Sequence, residues 1–361
     1  MTVQGPPPGG SPPGSGPGGI RRKSVRLSED DLVLARPLRA EGPLPLLMTP
    51  AVEGIDLPSW AERHRDRLRS DLVASGGILF RGFGSGAVDQ FERLIVAIAG
   101  PLLDYRYGST PRSLVAGKVY TSTEYPAHQE IPLHNEMSYS RDWPMKIGFL
   151  SIETAREGGE TPIADSRRVF ERIAPRVRDR FLEKGVQYVR NYGEGLDVPW
   201  QKVFQTEDRK EVEEFCRRSG IEWEWRDQDR LRTREVCQAA VRHPETGEMV
   251  WFNQAHLFHV SNVAQEAREA LQSTFREEDL PRNAYYGDGA PIDDAALSEI
   301  REAYRGEKVV FPWQPGDVLL VENMLTAHGR RPFSGSRRVV VGMAESWSEV
   351  SGGKGGGAGT P

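Results

Sequence analysis

Cysteine is scarce: the 361 residues contain two, Cys216 and Cys237, with no CxxC spacing between them. A disulfide framework is therefore excluded, and the pair reads as reduced thiols of a cytoplasmic protein. Long apolar runs are missing as well, so no segment reads as membrane-spanning. The opening MTVQGPPPGGSPPGSGPGG lacks the apolar centre of a signal peptide. Basic surplus is also lacking. Lys and Arg number 47 against 52 Asp and Glu, for a net charge of −5. That argues against a general nucleic-acid binder, although not against a local basic pocket for an anion. The glycines of RGFGSG are not followed by the rest of a dinucleotide or phosphate-loop fingerprint and read as turns. There is no internal repeat.

Glycine and proline, by contrast, are plentiful at the ends. Residues 1–22 and 352–361 bury too little apolar surface to offset the entropy of ordering and are expected to be disordered. One folded domain is expected over residues 25–350. Within it, runs rich in β-branched and aromatic residues recur: GILFRGF (77–83), KIGFLSIE (146–153), VQYVRNY (186–192), EMVWFNQ (248–254), DVLLVEN (317–323) and RRVVVGMAE (337–345). Amphipathic helical patterns lie between them, for example AVDQFERLIVAIA (87–99) and a helix capped by Ser59. The strands do not alternate regularly with helices. The pattern fits a mostly β fold with surrounding helices, a sandwich or jelly roll, better than a doubly wound sheet.

The chemistry begins in LHNEMSY (133–139), where His134 and Glu136 are one residue apart. On a strand, side chains at i and i+2 share a face and can meet at one point. Such a pair alone says little, because seven histidines make chance neighbours of this kind. A third ligand would come from His328 in NMLTAHGRRPF. Two histidines and a carboxylate on one side of a metal, with other positions open, are the signature of non-haem Fe(II) oxygenases. Ten residues after His328 stands Arg338, at the start of a strand-like run. From there an arginine can reach back and hold a carboxylate in a bidentate fork, as a diacid that chelates iron at its other end requires.

The stretch LHNEMSYSRDWPMKIGFLSIETAREGGETPIADSRRVFERI, with VWFNQAHLF and the run that begins at Trp313, resembles the taurine dioxygenase (TauD/TfdA) family of Fe(II)/2-oxoglutarate-dependent oxygenases, and within it the SyrP-like branch. The resemblance covers about residues 75–345. It implies a double-stranded β-helix, a cupin-like jelly-roll core. It also implies that His134, Glu136 and His328 hold Fe(II), and that Thr161 and Arg338 hold the distal carboxylate of the co-substrate 2-oxoglutarate. With O2 as oxidant, an unactivated C–H is hydroxylated as 2-oxoglutarate is converted to succinate and CO2. Two departures narrow the reading. Taurine dioxygenase carries an arginine four residues after its anchor, where this chain has Gly342, so a sulfonate would lose its charge partner. The related halogenases replace the carboxylate ligand by a small residue, and Glu136 leaves no such vacancy for a halide.

The substrate implied is an amino acid or a carrier-protein-tethered amino-acyl intermediate of antibiotic or other natural-product biosynthesis, and the carrier protein would then be a partner. Desaturation, epoxidation and cyclisation use the same cofactors and stay open. So do a non-catalytic metal-binding jelly roll and a zinc hydrolase. A homo-oligomer is a further expectation by resemblance. Asn253 reads either as a strand-end turn residue or as a substrate-binding amide at the barrel mouth. Tyr139 and Ser138 read either as pocket residues or as packing. HLFH (256–259) has a spacing that zinc could use, and Arg330–Arg331 reads as ordinary solvated charge rather than as a contact for an anionic substrate or carrier.

Overall fold

The computed structural model describes residues 1–2, 28–84, 86–104, 113–122, 125–193, 198–348 and 353–354. The terminal segments read above as disordered lie almost wholly outside these residues.

The principal sheet is built on two long antiparallel strands, Asp142–Glu153 and Arg338–Ser348. Val318–Glu322 pairs with the first of them, and the sheet continues through Gly77–Phe80 to the hairpin Val33–Arg39 and Gly42–Pro50. On the other side lie the short strands Val119–Thr121 and Leu114–Ala116. A smaller sheet faces it: Ile131–His134, Thr326–Arg330 and Ile163–Asp165, in that order with Thr326–Arg330 central. Between the two sheets lies an apolar layer that includes Phe149, Ile163, Leu319, Val339, Val341 and Met343. Two facing sheets with a shared interior are the jelly-roll arrangement expected from the strand pattern.

The outer face of the large sheet is covered by the helices Arg65–Ser75 and Val88–Ala99. The close approach of the second helix has a sequence cause. Gly148 and Gly342 are register partners on adjacent strands, and a Cβ at either would press on Phe91 and either Ile95 or Leu102. Two paired glycines thus make the shallow floor on which the helix sits.

Most expected strands are present, with two differences. VQYVRNY forms Val186–Tyr192, but in a separate four-stranded antiparallel sheet with Glu222–Arg226, Arg230–Cys237 and Arg282–Tyr286. Ser59 does not cap a helix. The helix Leu57–Arg63 begins earlier, Ser59 bonds to the Asp56 carboxylate, and a second helix starts at Arg65. Both cysteines are buried, and burial pushes their thiols upward, that of Cys216 to about 12.

Candidate active site

His134 and His328 are register partners across the antiparallel strands Ile131–His134 and Thr326–Arg330. Directly opposed residues project on the same face, and the two rings stand 4.6 Å apart between centroids. Glu136 joins them, with its Oε2 3.8 Å from His328 Nε2. The three side chains offer donor atoms all within 4.8 Å of one another, and among the described residues this is the one such cluster. Glu136 and His328 are buried. His134 Nδ1 lies 2.9 Å from the Pro132 carbonyl, which can only accept. The proton is therefore on Nδ1, and Nε2 keeps its lone pair for a metal. Two neutral imidazole nitrogens and one carboxylate fit a divalent iron with open positions.

Glu136 does not join His134 through a shared strand face, as the i and i+2 spacing suggests. The strand ends at His134, and Glu136 lies in a turn rather than on a shared strand face. The next residue, Met137, has φ 55°, so the chain turns sharply just after the carboxylate. Asn323 bonds the backbone of Glu136 on both sides, accepting from its N–H at 2.8 Å and donating to its carbonyl at 2.9 Å. In the sequence, Asn323 stands only as the last residue of the strand-like run DVLLVEN (317–323).

The two histidines open onto a pocket that is lined also by Ser122, Phe149, Thr161, Arg330, Arg337 and Val339. Thr161 is buried, and its Oγ1 accepts from Trp313 Nε1 at 3.1 Å. Of the adjacent pair Arg337 and Arg338, Arg337 lines the pocket and Arg338 does not. Alternation along the strand explains this. Val339, Val341 and Met343 face the interior layer between the sheets, while Val340 and Ala344 face the outer helices. Arg337 shares the interior parity. Arg338 shares the outer one and is exposed. Arg337 Nε donates to the Gly159 carbonyl at 2.8 Å, and Nη1 lies 3.4 Å from Ser122 Oγ. Burial pushes its guanidinium down to about 10, with the charge of Arg330 adding to the effect and Glu160 opposing it. It remains a cation at neutral pH, in a setting that an anionic ligand would relieve. Gly342 has the outer parity too and lies against Phe91 and Leu102, away from the pocket. The residue four beyond Arg337 is Val341, buried and apolar, so the position still offers no cation.

The three substrate-binding candidates lie elsewhere. Asn253 is a turn residue with both ends of its amide engaged, Nδ2 donating to Ala239 O at 2.7 Å and Oδ1 accepting from Ala255 N at 3.0 Å. Ser138 Oγ donates to the Asn135 carbonyl at 2.9 Å inside the turn that carries Glu136. Tyr139 is packed between Tyr188 and Phe258 in the core. None of the three lines the pocket. His256 and His259 do not meet at a metal site. His256 Nε2 bonds the Leu133 carbonyl at 3.0 Å, bracing the strand that carries His134, and His259 bonds Ser261. Arg330 is not solvated. It is buried and donates to the carbonyls of Tyr125, Pro126 and Gln129, clamping that loop to the pocket wall. Arg331 is exposed beside Glu160.

Residues 41–344 match the family described as "Taurine catabolism dioxygenase TauD, TfdA family". The chain belongs to the TauD/TfdA family. Among relatives of this TauD/TfdA chain, the dapdiamide synthesis protein DdaC of Enterobacter agglomerans is 40% identical over 310 residues, covering 86% of this chain and 94% of that protein. A clavaminate synthase-like protein of Arabidopsis thaliana is 32% identical over 322 residues, covering 84% and 94%. Among solved structures, the PvcB protein of Pseudomonas aeruginosa superposes with a TM-score of 0.53 at 14% identity, over 91% of this chain and 98% of that one, which shows a common fold. This TauD/TfdA member is an oxidoreductase that depends on Fe(II) and 2-oxoglutarate. No helix among the described residues is long and apolar enough to cross a membrane.

Proposed function

We propose that the protein hydroxylates an unactivated C–H bond of an amino acid, free or carried as an acyl group, in natural-product biosynthesis. The observation that carries this reading is one pocket lined by His134 and His328, which cluster with Glu136, and also by Arg337 and Thr161. His134, Glu136 and His328 would hold the iron. Arg337 and the Thr161 hydroxyl would hold the distal carboxylate of 2-oxoglutarate, the arginine through its Nη hydrogens while its Nε stays on Gly159. When bound, iron would activate O2 at the expense of 2-oxoglutarate, which would be oxidised to succinate and CO2 as the second oxygen atom enters the substrate. The chain's own part is to orient and to shield. His134 is kept in one tautomer by Pro132, and Phe149, 5.0 Å from the His328 ring, keeps that side of the site dry together with Val339. Glu136 fills the place a halide would need, which favours hydroxylation.

The amino-acid class rests on the kinship with a dapdiamide synthesis protein together with the absence of a sulfonate partner at Val341. The test is succinate formation, with mass analysis of products, across a panel of free and carrier-bound amino acids. Substrate-dependent succinate with a +16 product supports the proposal. A panel that yields only uncoupled turnover, or a desaturated or cyclised product, removes it.

A further inference from the structure

We infer that Asn323 is a positioning residue for the carboxylate ligand: its side-chain amide takes the place of a strand partner for Glu136 and so sets where the carboxylate stands relative to the two histidines. The inference rests on the reading of Glu136 as an iron ligand.

The two histidines need no such help, since strand register holds them opposite each other. Glu136 lies two residues beyond the end of its strand, where that ladder has stopped. Asn323 supplies what the ladder would have supplied, one acceptor for the Glu136 N–H and one donor for its carbonyl, at 2.8 and 2.9 Å. Its second amide hydrogen goes to the Pro144 carbonyl at 2.8 Å, so both N–H groups are used. The backbone of Asn323 is itself braced, since Asn135 Nδ2 donates to its carbonyl at 2.6 Å and Gln254 Nε2 donates to the Asn135 carbonyl at 2.8 Å. Asn323 and Asn135 are fully buried, so water cannot replace these bonds.

Two further features give the amide work to do. Met137, at φ 55°, holds a conformation that residues with a Cβ adopt at a cost, so the turn after Glu136 tends to relax unless it is restrained. Asn323 also belongs to the short connection between Val318–Glu322 and Thr326–Arg330, shaped by Glu322 Oε2, which accepts from Leu325 N at 2.8 Å. Five residues on, the same segment presents His328. One connection therefore carries the third ligand on its strand and the restraint on the second in its turn.

The experiment is anaerobic titration of the full chain with Fe(II), read by calorimetry and, with 2-oxoglutarate present, by the visible charge-transfer band. Asn323→Ala should weaken Fe(II) binding by about 10- to 100-fold and move the band, because second-layer partners of metal ligands have effects of that size. Leu72→Ala, on the buried face of the outer helix Arg65–Ser75, is the control for lost stability: it should lower the melting temperature and leave iron affinity and band unchanged. If Asn323→Ala binds iron as tightly as Leu72→Ala does, the inference is overturned. Should Asn323→Ala fail to fold, Asn323→Asp decides. It keeps the acceptor for the Glu136 N–H but sets a carboxylate against the carbonyls of Glu136 and Pro144, and unchanged affinity there is equally fatal. Glu136→Ala separates the two claims. If it leaves iron affinity intact, the metal-site reading fails; if it abolishes binding while the Asn323 variants bind normally, only the positioning role fails.

Discussion

Arg337→Ala and Arg338→Ala should behave as opposites, although the two residues are adjacent and chemically identical. Arg337 lines the pocket with Thr161, partly buried, with Nη hydrogens available beyond the bond to Gly159. On the proposed reading, removing it would take away charge-assisted bonds to the distal carboxylate of 2-oxoglutarate, worth about 2–4 kcal/mol in a partly desolvated pocket. At about 1.4 kcal/mol per factor of ten, the dissociation constant for 2-oxoglutarate should rise about 30- to 700-fold. Arg338 is exposed on the opposite face of the strand, and its loss should change that constant by less than about twofold. Arg337→Lys, which keeps a charge but loses the planar fork, should fall between them. The assay is titration of the Fe(II) protein with 2-oxoglutarate under anaerobic conditions, followed by the charge-transfer band, with the KM for 2-oxoglutarate from succinate release as a second measure. The bond to Gly159 makes a modest fall in melting temperature expected for Arg337→Ala, which is why affinity is the deciding number. An Arg338→Ala variant that loses 2-oxoglutarate while Arg337→Ala retains it would show the parity argument to be wrong.

Thr161→Ala should raise the KM for 2-oxoglutarate about 10- to 100-fold, the worth of one hydrogen bond to a charged group, with little change in iron affinity; equal losses of both would assign Thr161 a structural role. His256 should impose a pH dependence on stability. Burial first of all, then the charges of Arg301 and His134, push it down to about 3 from 6.5, against the bond to Leu133. The unfolded chain therefore binds a proton between those values that the folded chain refuses, so stability is full above about pH 6.5 and falls as pH drops, by up to about 1.4 kcal/mol per unit. Urea unfolding near pH 7 and pH 5 should show a smaller fall for His256→Gln than for the natural chain, and identical slopes would count against it. Lys146 is buried 3.5 Å from Glu322 and 3.4 Å from Glu345. Lys146→Met should cost about 3–5 kcal/mol in chemical denaturation by stranding Glu322 without its cation, and a loss under about 1 kcal/mol would show that water or another cation takes over.

The fold class was legible because alternating and β-branched runs survive in short segments; the strands Gly77–Phe80, Asp142–Glu153, Val318–Glu322 and Arg338–Ser348 all fall within or around the expected runs. The candidate cluster of His134, Glu136 and His328 was legible from residue type and distance along the chain. The geometry that joins it was not. His-x-Glu suggested a shared strand face, whereas the strand stops at His134 and a side chain from residue 323 takes over, a long-range bond that no local pattern encodes. The choice between Arg337 and Arg338 was hidden for a different reason. Val339, Val340 and Val341 are all buried, on both faces of the sheet, so hydrophobic alternation carries no phase there. Asn253, Ser138 and Tyr139 were near the right place in sequence but are consumed by the turn and core that hold the site.

The turn at Glu136 also bears on how such a site changes over time. The ladder bonds of the sheet end before residue 136, and the bonds that fix its backbone come through its own N–H and carbonyl, whatever side chain it bears. A substitution there alters the chemistry of the centre without breaking a strand pairing or disturbing the opposed histidines. Selection can therefore rewrite the reaction at a single codon while the scaffold is inherited unchanged.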